Sequence, residues 1–164
     1  MRYTKSRWVA SFKDTFSLDH SLSPIIGAGL VRFKEEITKE GKYRKGLPCA
    51  WISDKVEDGT FTYEGDERNC QLSEDDWEKC HLLWLAMLDE VIYAFTTDEP
   101  DIMKYDFSFD RETGEPDENG YIPVTLDCTN EEEHERYNKD MKDHTERCQK
   151  GYELFGKWFS TFWW

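Results

Sequence analysis

Between Ser73 and Thr97 the apolar residues fall at Trp77, Cys80, Trp84, Leu88, Val91, Ile92 and Phe95. That three-to-four spacing predicts a helix with one buried face. Ser73 suits the N-cap, because its hydroxyl oxygen accepts from an unsatisfied backbone N–H of the first turn. Glu74, Asp75 and Asp76 then place negative charge at the positive end of the helix dipole. A second stripe, Tyr137, Met141, Cys148, Tyr152, Phe155, Phe159 and Phe162, predicts a helix from near Asn130 to the C-terminus. About thirty residues make it roughly 45 Å long. Gly151 and Gly156 lie within it and either loosen the helix or admit a close neighbour. A third stretch, from about Ser17 to Lys39, turns Leu18, Leu22, Ile25, Ile26, Leu30, Phe33 and Ile37 inward. Pro24 sits inside it, so that helix starts at Ser21 or Ser23, or bends.

Strict alternation is rarer. Met103, Tyr105, Phe107 and Phe109 alternate with polar residues, as do Ile122, Val124, Leu126 and Cys128. Joined through residues 110–120 they predict an antiparallel hairpin, with Arg7 to Phe12 as a third strand. The expected architecture is α+β: three main helices packed on a small antiparallel sheet or hairpin, in a single domain over 1–164. Acidic loops are expected near 54–72 and 110–120, where Gly, Asp and Glu concentrate.

Charge changes the picture most. The 164 residues hold 21 Lys and Arg against 35 Asp and Glu, a net charge of −14. Residues 1–50 carry ten bases and five acids, whereas 54–118 carry five bases and 21 acids. Such a field repels duplex nucleic acid and attracts basic surfaces. Aromatic residues make up 15%, with seven Trp, enough to build a core and to argue against disorder throughout. No run approaches the ~20 apolar residues of a membrane span, and the start MRYTKSRWVASF has no leader-like apolar core. Five cysteines (Cys49, Cys70, Cys80, Cys128 and Cys148) without a CxxC pair suit a reducing compartment and argue against a zinc site.

Three blocks carry a resemblance. FKDTFSLDHSLSPII (Phe12–Ile26) with KEGKYRKGLP after it, WLAMLDEVIYAF (Trp84–Phe95) and HTERCQKGYELFGKWFSTFWW (His144–Trp164) cover 58 of the 164 residues. In this order they resemble a widespread family of small uncharacterised tailed-bacteriophage proteins, whose matching segments look like D-W-S-x-D-H-T-L-A, L-D-E-M-I-W-A-F-E and N-G-L-R-L-F-G-K-Y-Y-x-x-L-W. Phe16 stands where the family usually has Trp, and Pro24 is unusual there. The resemblance implies a phage-encoded protein working in the cytoplasm of the infected bacterial host, and no settled activity.

Three constellations are candidates for function. The first is an acidic face for partner binding, formed by Glu64, Asp66, Glu67, Glu74, Asp75 and Asp76. It would bind and inhibit a host nucleic-acid-handling or defence factor that presents a basic surface, with carboxylates in place of phosphates. The second is a basic turn, Lys42, Arg44 and Lys45, which with the aromatic residues would hold a nucleotide and make the protein a sponge for a defence signal. The third joins Asp19, His20, Asp89, Glu90 and His144, residue types that ligate metals in helical bundles and serve acid–base chemistry. Each has an ordinary alternative: solubility, a solvated helix end, and caps with core-margin hydrogen bonds. No phosphate loop, nucleophile elbow or HExxH pattern occurs, so no cofactor is implied. The favoured expectation is a non-enzymatic binding protein, with no membrane contact and with self-association open.

Overall fold

The structure, a computed structural model, describes residues 2–4, 7–9, 18–39, 47–65 and 72–162, with backbone alone in 2–4, 7–9 and 18–20. Two compact units divide the chain: residues 1–97 with 147–164, and residues 98–146. Among the described residues there are four helices: α1 (Leu18–Thr38), α2 (Cys49–Glu57), α3 (Glu74–Thr96) and α4 (Glu131–Trp158). Two separate antiparallel ribbons accompany them. β1 (Arg2–Thr4) pairs with β2 (Arg7–Val9), and β3 (Phe109–Thr113) pairs with β4 (Val124–Cys128). The α+β class therefore holds, but residues 7–9 pair with 2–4 and do not extend the hairpin.

In the first unit the helices enclose an aromatic core. α3 is capped as its sequence requires: the Ser73 Oγ accepts from the Asp76 N–H at 3.1 Å. Cys80, Trp84, Met87, Leu88, Val91 and Ala94 are buried along one face. α1 contains Pro24 and begins at Leu18, so the proline leaves the His20 carbonyl without its helical donor. α1 meets α3 closely at Gly27, where a Cβ would lie 2.9 Å from the Phe95 carbonyl oxygen.

α2 occupies part of the expected 54–72 loop. Pro48 starts it with an extended backbone, and it is only nine residues long. It brings Trp51 against Trp84 and Trp158, with ring centroids 5.1 and 5.0 Å away in edge-on geometry. Such pairs add ~0.5–1.5 kcal/mol to the gain from area burial.

The buried line on α4 differs from the expected stripe. Cys148, Gly151 and Trp158, with Phe162 beyond the helix, are buried, while Tyr152 and Phe159 are exposed. Gly151 sets this rotation: a Cβ there would lie 2.5 Å from the Ala94 Cβ and 2.6 Å from the Glu90 carbonyl oxygen. Only a glycine lets α4 approach α3 so closely. Ion pairs tie α4 to two neighbours at its margins, Lys157 to Asp54 of α2 at 2.7 Å and Arg147 to Glu90 of α3 at 3.1 Å.

The second unit has a different construction. The alternation expected from Met103 becomes a 3-10 turn at Ile102–Lys104, capped by the Asp101 carboxylate, which accepts from the Met103 N–H at 3.0 Å. Paired strand begins only at Phe109. Tyr105, Phe107 and Phe109 nevertheless share a side, and they line up over Tyr137 and His134 of α4. No residue of β3 or β4 is buried, so the sheet is not the platform on which the helices pack.

Candidate interaction surface

Residues 98–146 contain 17 Asp and Glu against five Lys and Arg, a net −12, which leaves −2 for the rest of the chain. The acidity counted along 54–118 thus crosses the border between the units. Three of the five cations are already paired with a carboxylate about one turn away on α4: Arg136 with Glu133, Lys139 with Asp143 and Lys142 with Glu146. Such exposed pairs contribute little to stability, but they leave few cations to offset the remaining carboxylates.

The small hydrophobic centre of this unit fixes the hairpin. Phe107 lies 5.6 Å from Tyr137 and 5.0 Å from His134, and Phe109 lies 5.2 Å from His134. Tyr105 donates its hydroxyl hydrogen to Asp140 at 2.7 Å. That bond and the neighbouring negative charge push the Tyr105 hydroxyl above its ordinary pKa, because ionising it would set two anions together. Ser108 and Thr129 close the base of the hairpin through the Thr129 N–H and the Ser108 carbonyl, 2.9 Å apart.

The register then sorts side chains onto two faces. Phe109 opposes Cys128, Arg111 opposes Leu126 and Thr113 opposes Val124; these pairs share the side turned toward α4. Asp110 opposes Asp127 and Glu112 opposes Thr125 on the other side. Like charges directly opposite across a ribbon are unfavourable. On the apolar side only Cys128 is half-buried; Phe109, although against His134, is still 46% exposed. Farther out on that side Leu126 is 59% exposed and Val124 44%, and Ile122 and Tyr121, just before β4, are exposed as well. The tip is nonetheless ordered. Asp117 accepts from the Asn119 and Tyr121 N–H groups at 2.8 and 2.9 Å, and Gly120 takes a positive φ of 81° that a side chain would strain.

The expected partner-binding residues are placed as follows. Glu74 and Asp75 are exposed on the first turn of α3, and Asp76 is half-buried and paired with Lys79 at 3.1 Å. Glu64 is exposed. Asp66 and Glu67 lie outside the described residues, and so do Lys42, Arg44 and Lys45 of the basic turn.

Of the Asp/His set, Asp19 and His20 are described by backbone alone. Asp89 is paired with Lys34 of α1. Glu90 receives two hydrogen bonds from Arg147, at 3.1 and 3.2 Å, while that guanidinium lies 3.8 Å over the Tyr93 ring. His144 is half-buried in the second unit. Both carboxylates therefore serve as ties between helices, and among the described residues no three His, Cys, Asp or Glu gather to hold a metal ion.

The aromatic candidates divide similarly: Trp51, Trp84, Trp158 and Phe162 are core, and Trp163 and Trp164 lie outside the described residues. Burial pushes the Cys80 thiol above its usual pKa, as suits an inert core thiol. No described helix is long and apolar enough to cross a membrane.

What the residue pattern missed is the exposed apolar side of the hairpin. The alternation at Ile122, Val124, Leu126 and Cys128 was its signal, but alternation alone does not say whether the apolar side is covered. Comparison of the chain with protein-family models, with curated proteins and with solved structures finds no match.

Proposed function

We propose that this chain is a non-enzymatic phage accessory protein that binds, and so inhibits, a host nucleic-acid-handling or defence factor in the bacterial cytoplasm. The supporting observation is the net −12 concentrated in residues 98–146, where three of five cations are tied up by neighbouring carboxylates. A basic groove built for phosphates presents Lys and Arg at the surface. An ordered array of carboxylates competes for such a groove by charge and by bulk. Glu64, Glu74 and Asp75 are further exposed carboxylates, in the first unit.

The test immobilises the full chain, passes host lysate over it and elutes with rising salt. The host factor elutes between ~0.15 M and ~1 M salt, as the Debye length shrinks from ~8 to ~3 Å. Adding the chain back to that factor displaces labelled nucleic acid from it. A captured factor that resists 1 M salt, or that keeps its nucleic acid at saturating chain, overturns the proposal.

A further inference from the structure

The β3–β4 ribbon combines three features that belong together. Its apolar side, Val124 and Leu126 with Ile122 beside them, is exposed. Its other side carries the opposed carboxylates Asp110 and Asp127, with Glu112 one pair further out. Its strands pair only with one another, so among the described residues no strand lies beside the outer edge of β4. An uncovered edge accepts a further strand.

We infer that the free edge of β4 is a docking site for an extended segment of the partner in which apolar residues alternate with Lys or Arg; this rests on the acidic-surface reading above. Side chains of an added strand point alternately to the two sides of the sheet. On one side they would cover Val124 and Leu126. On the other, a Lys or Arg beside Asp127 would relieve its repulsion with Asp110.

Charge selects this occupant over a second copy of the chain. Residues 109–128 carry six carboxylates and the single cation Arg111, so two such ribbons placed edge to edge repel. β4 is favoured over β3 because its apolar side holds Val124, Leu126 and Cys128, whereas β3 offers Phe109, Arg111 and Thr113 there.

The probe is a fluorescent nine-residue peptide of alternating Val and Lys, titrated into the full chain and read by anisotropy, beside a peptide of identical composition in scrambled order. The alternating peptide binds at least ten-fold more tightly. Its saturation slows amide hydrogen exchange across 124–128 ten-fold or more. Val124→Ser with Leu126→Ser, both at exposed positions, removes the preference for the alternating order. Equal binding of both peptides, with no protection of β4, overturns strand addition and leaves the acidic-surface reading standing. No binding of either peptide at low salt overturns both.

Discussion

Gly151 and Gly156 are five residues apart on one helix, and their surroundings are opposite. A Cβ at Gly151 meets the Glu90 carbonyl oxygen and the Ala94 methyl, whereas one at Gly156 meets nothing within 4 Å. Gly151→Ala therefore forces two backbones apart and lowers stability by ~1–3 kcal/mol, read as a drop in the thermal midpoint. Gly156→Ala raises stability by ~0.4–1 kcal/mol, because alanine restricts the unfolded chain without strain in the helix.

At the same scale, Asp58 is held down to about 2, first by the Lys55 ammonium and then by the Thr60 hydroxyl and N–H. The Lys157 and Lys55 ammonium groups also lower Asp54. A depressed carboxylate stabilises the fold above its ordinary pKa of 3.8, and that contribution disappears as the pH falls toward 2. Stability measured by chemical denaturation should thus decline between pH 4 and 2 less steeply in Asp58→Asn than in the parent chain. An unchanged slope would show that the ion pair does not form in solution.

Among the elements, α3 is the one on which the first unit depends. Leu88 is fully buried at its centre, and Leu88→Ala costs ~2–5 kcal/mol, whereas Ser73→Ala costs about 1 by removing the cap. Denaturant titration separates the two values.

α3 was legible in the sequence because cap, acidic first turn and seven apolar positions all agree. α4 was legible in extent, since Asn130 caps it and the stripe is long, but its rotation was not. Periodicity marks the large residues; Gly151 and Gly156 were both open to a close neighbour, and nothing in the pattern said that only Gly151 has one. α2 escaped because nine residues make too few turns for a period to stand out, and Asp54, Glu57 and Asp58 gave it the look of a loop. At Met103 to Phe109 the alternation named the right aromatics but not the right backbone. Asp101 caps a turn ahead of them, and only Phe109 reaches the paired strand. Of the candidate sites, the acidity was visible as a count and its location was not, because placing it requires knowing where one unit stops. α4 contributes residues to both units, so no break in composition marks the border at 146.

For the whole molecule, the proposed binding by charge predicts unequal roles for the two units, because the negative charge is concentrated in residues 98–146. Reversing Glu112, Glu115 and Glu118 to Lys should weaken retention of the host factor at least ten-fold, measured as its equilibrium affinity at ~0.15 M salt. Reversing Glu64, Glu74 and Asp75 should weaken it by a smaller factor; the opposite order would assign the dominant field to the first unit. The allocation of aromatic residues between the units has a practical sequel. All seven indoles, at positions 8, 51, 77, 84, 158, 163 and 164, fall in the first, while the second has the phenols of Tyr105, Tyr121 and Tyr137. Emission excited at the red edge therefore watches one unit melt, far-ultraviolet ellipticity watches both, and a gap between the two transitions would reveal the hairpin unit coming apart on its own.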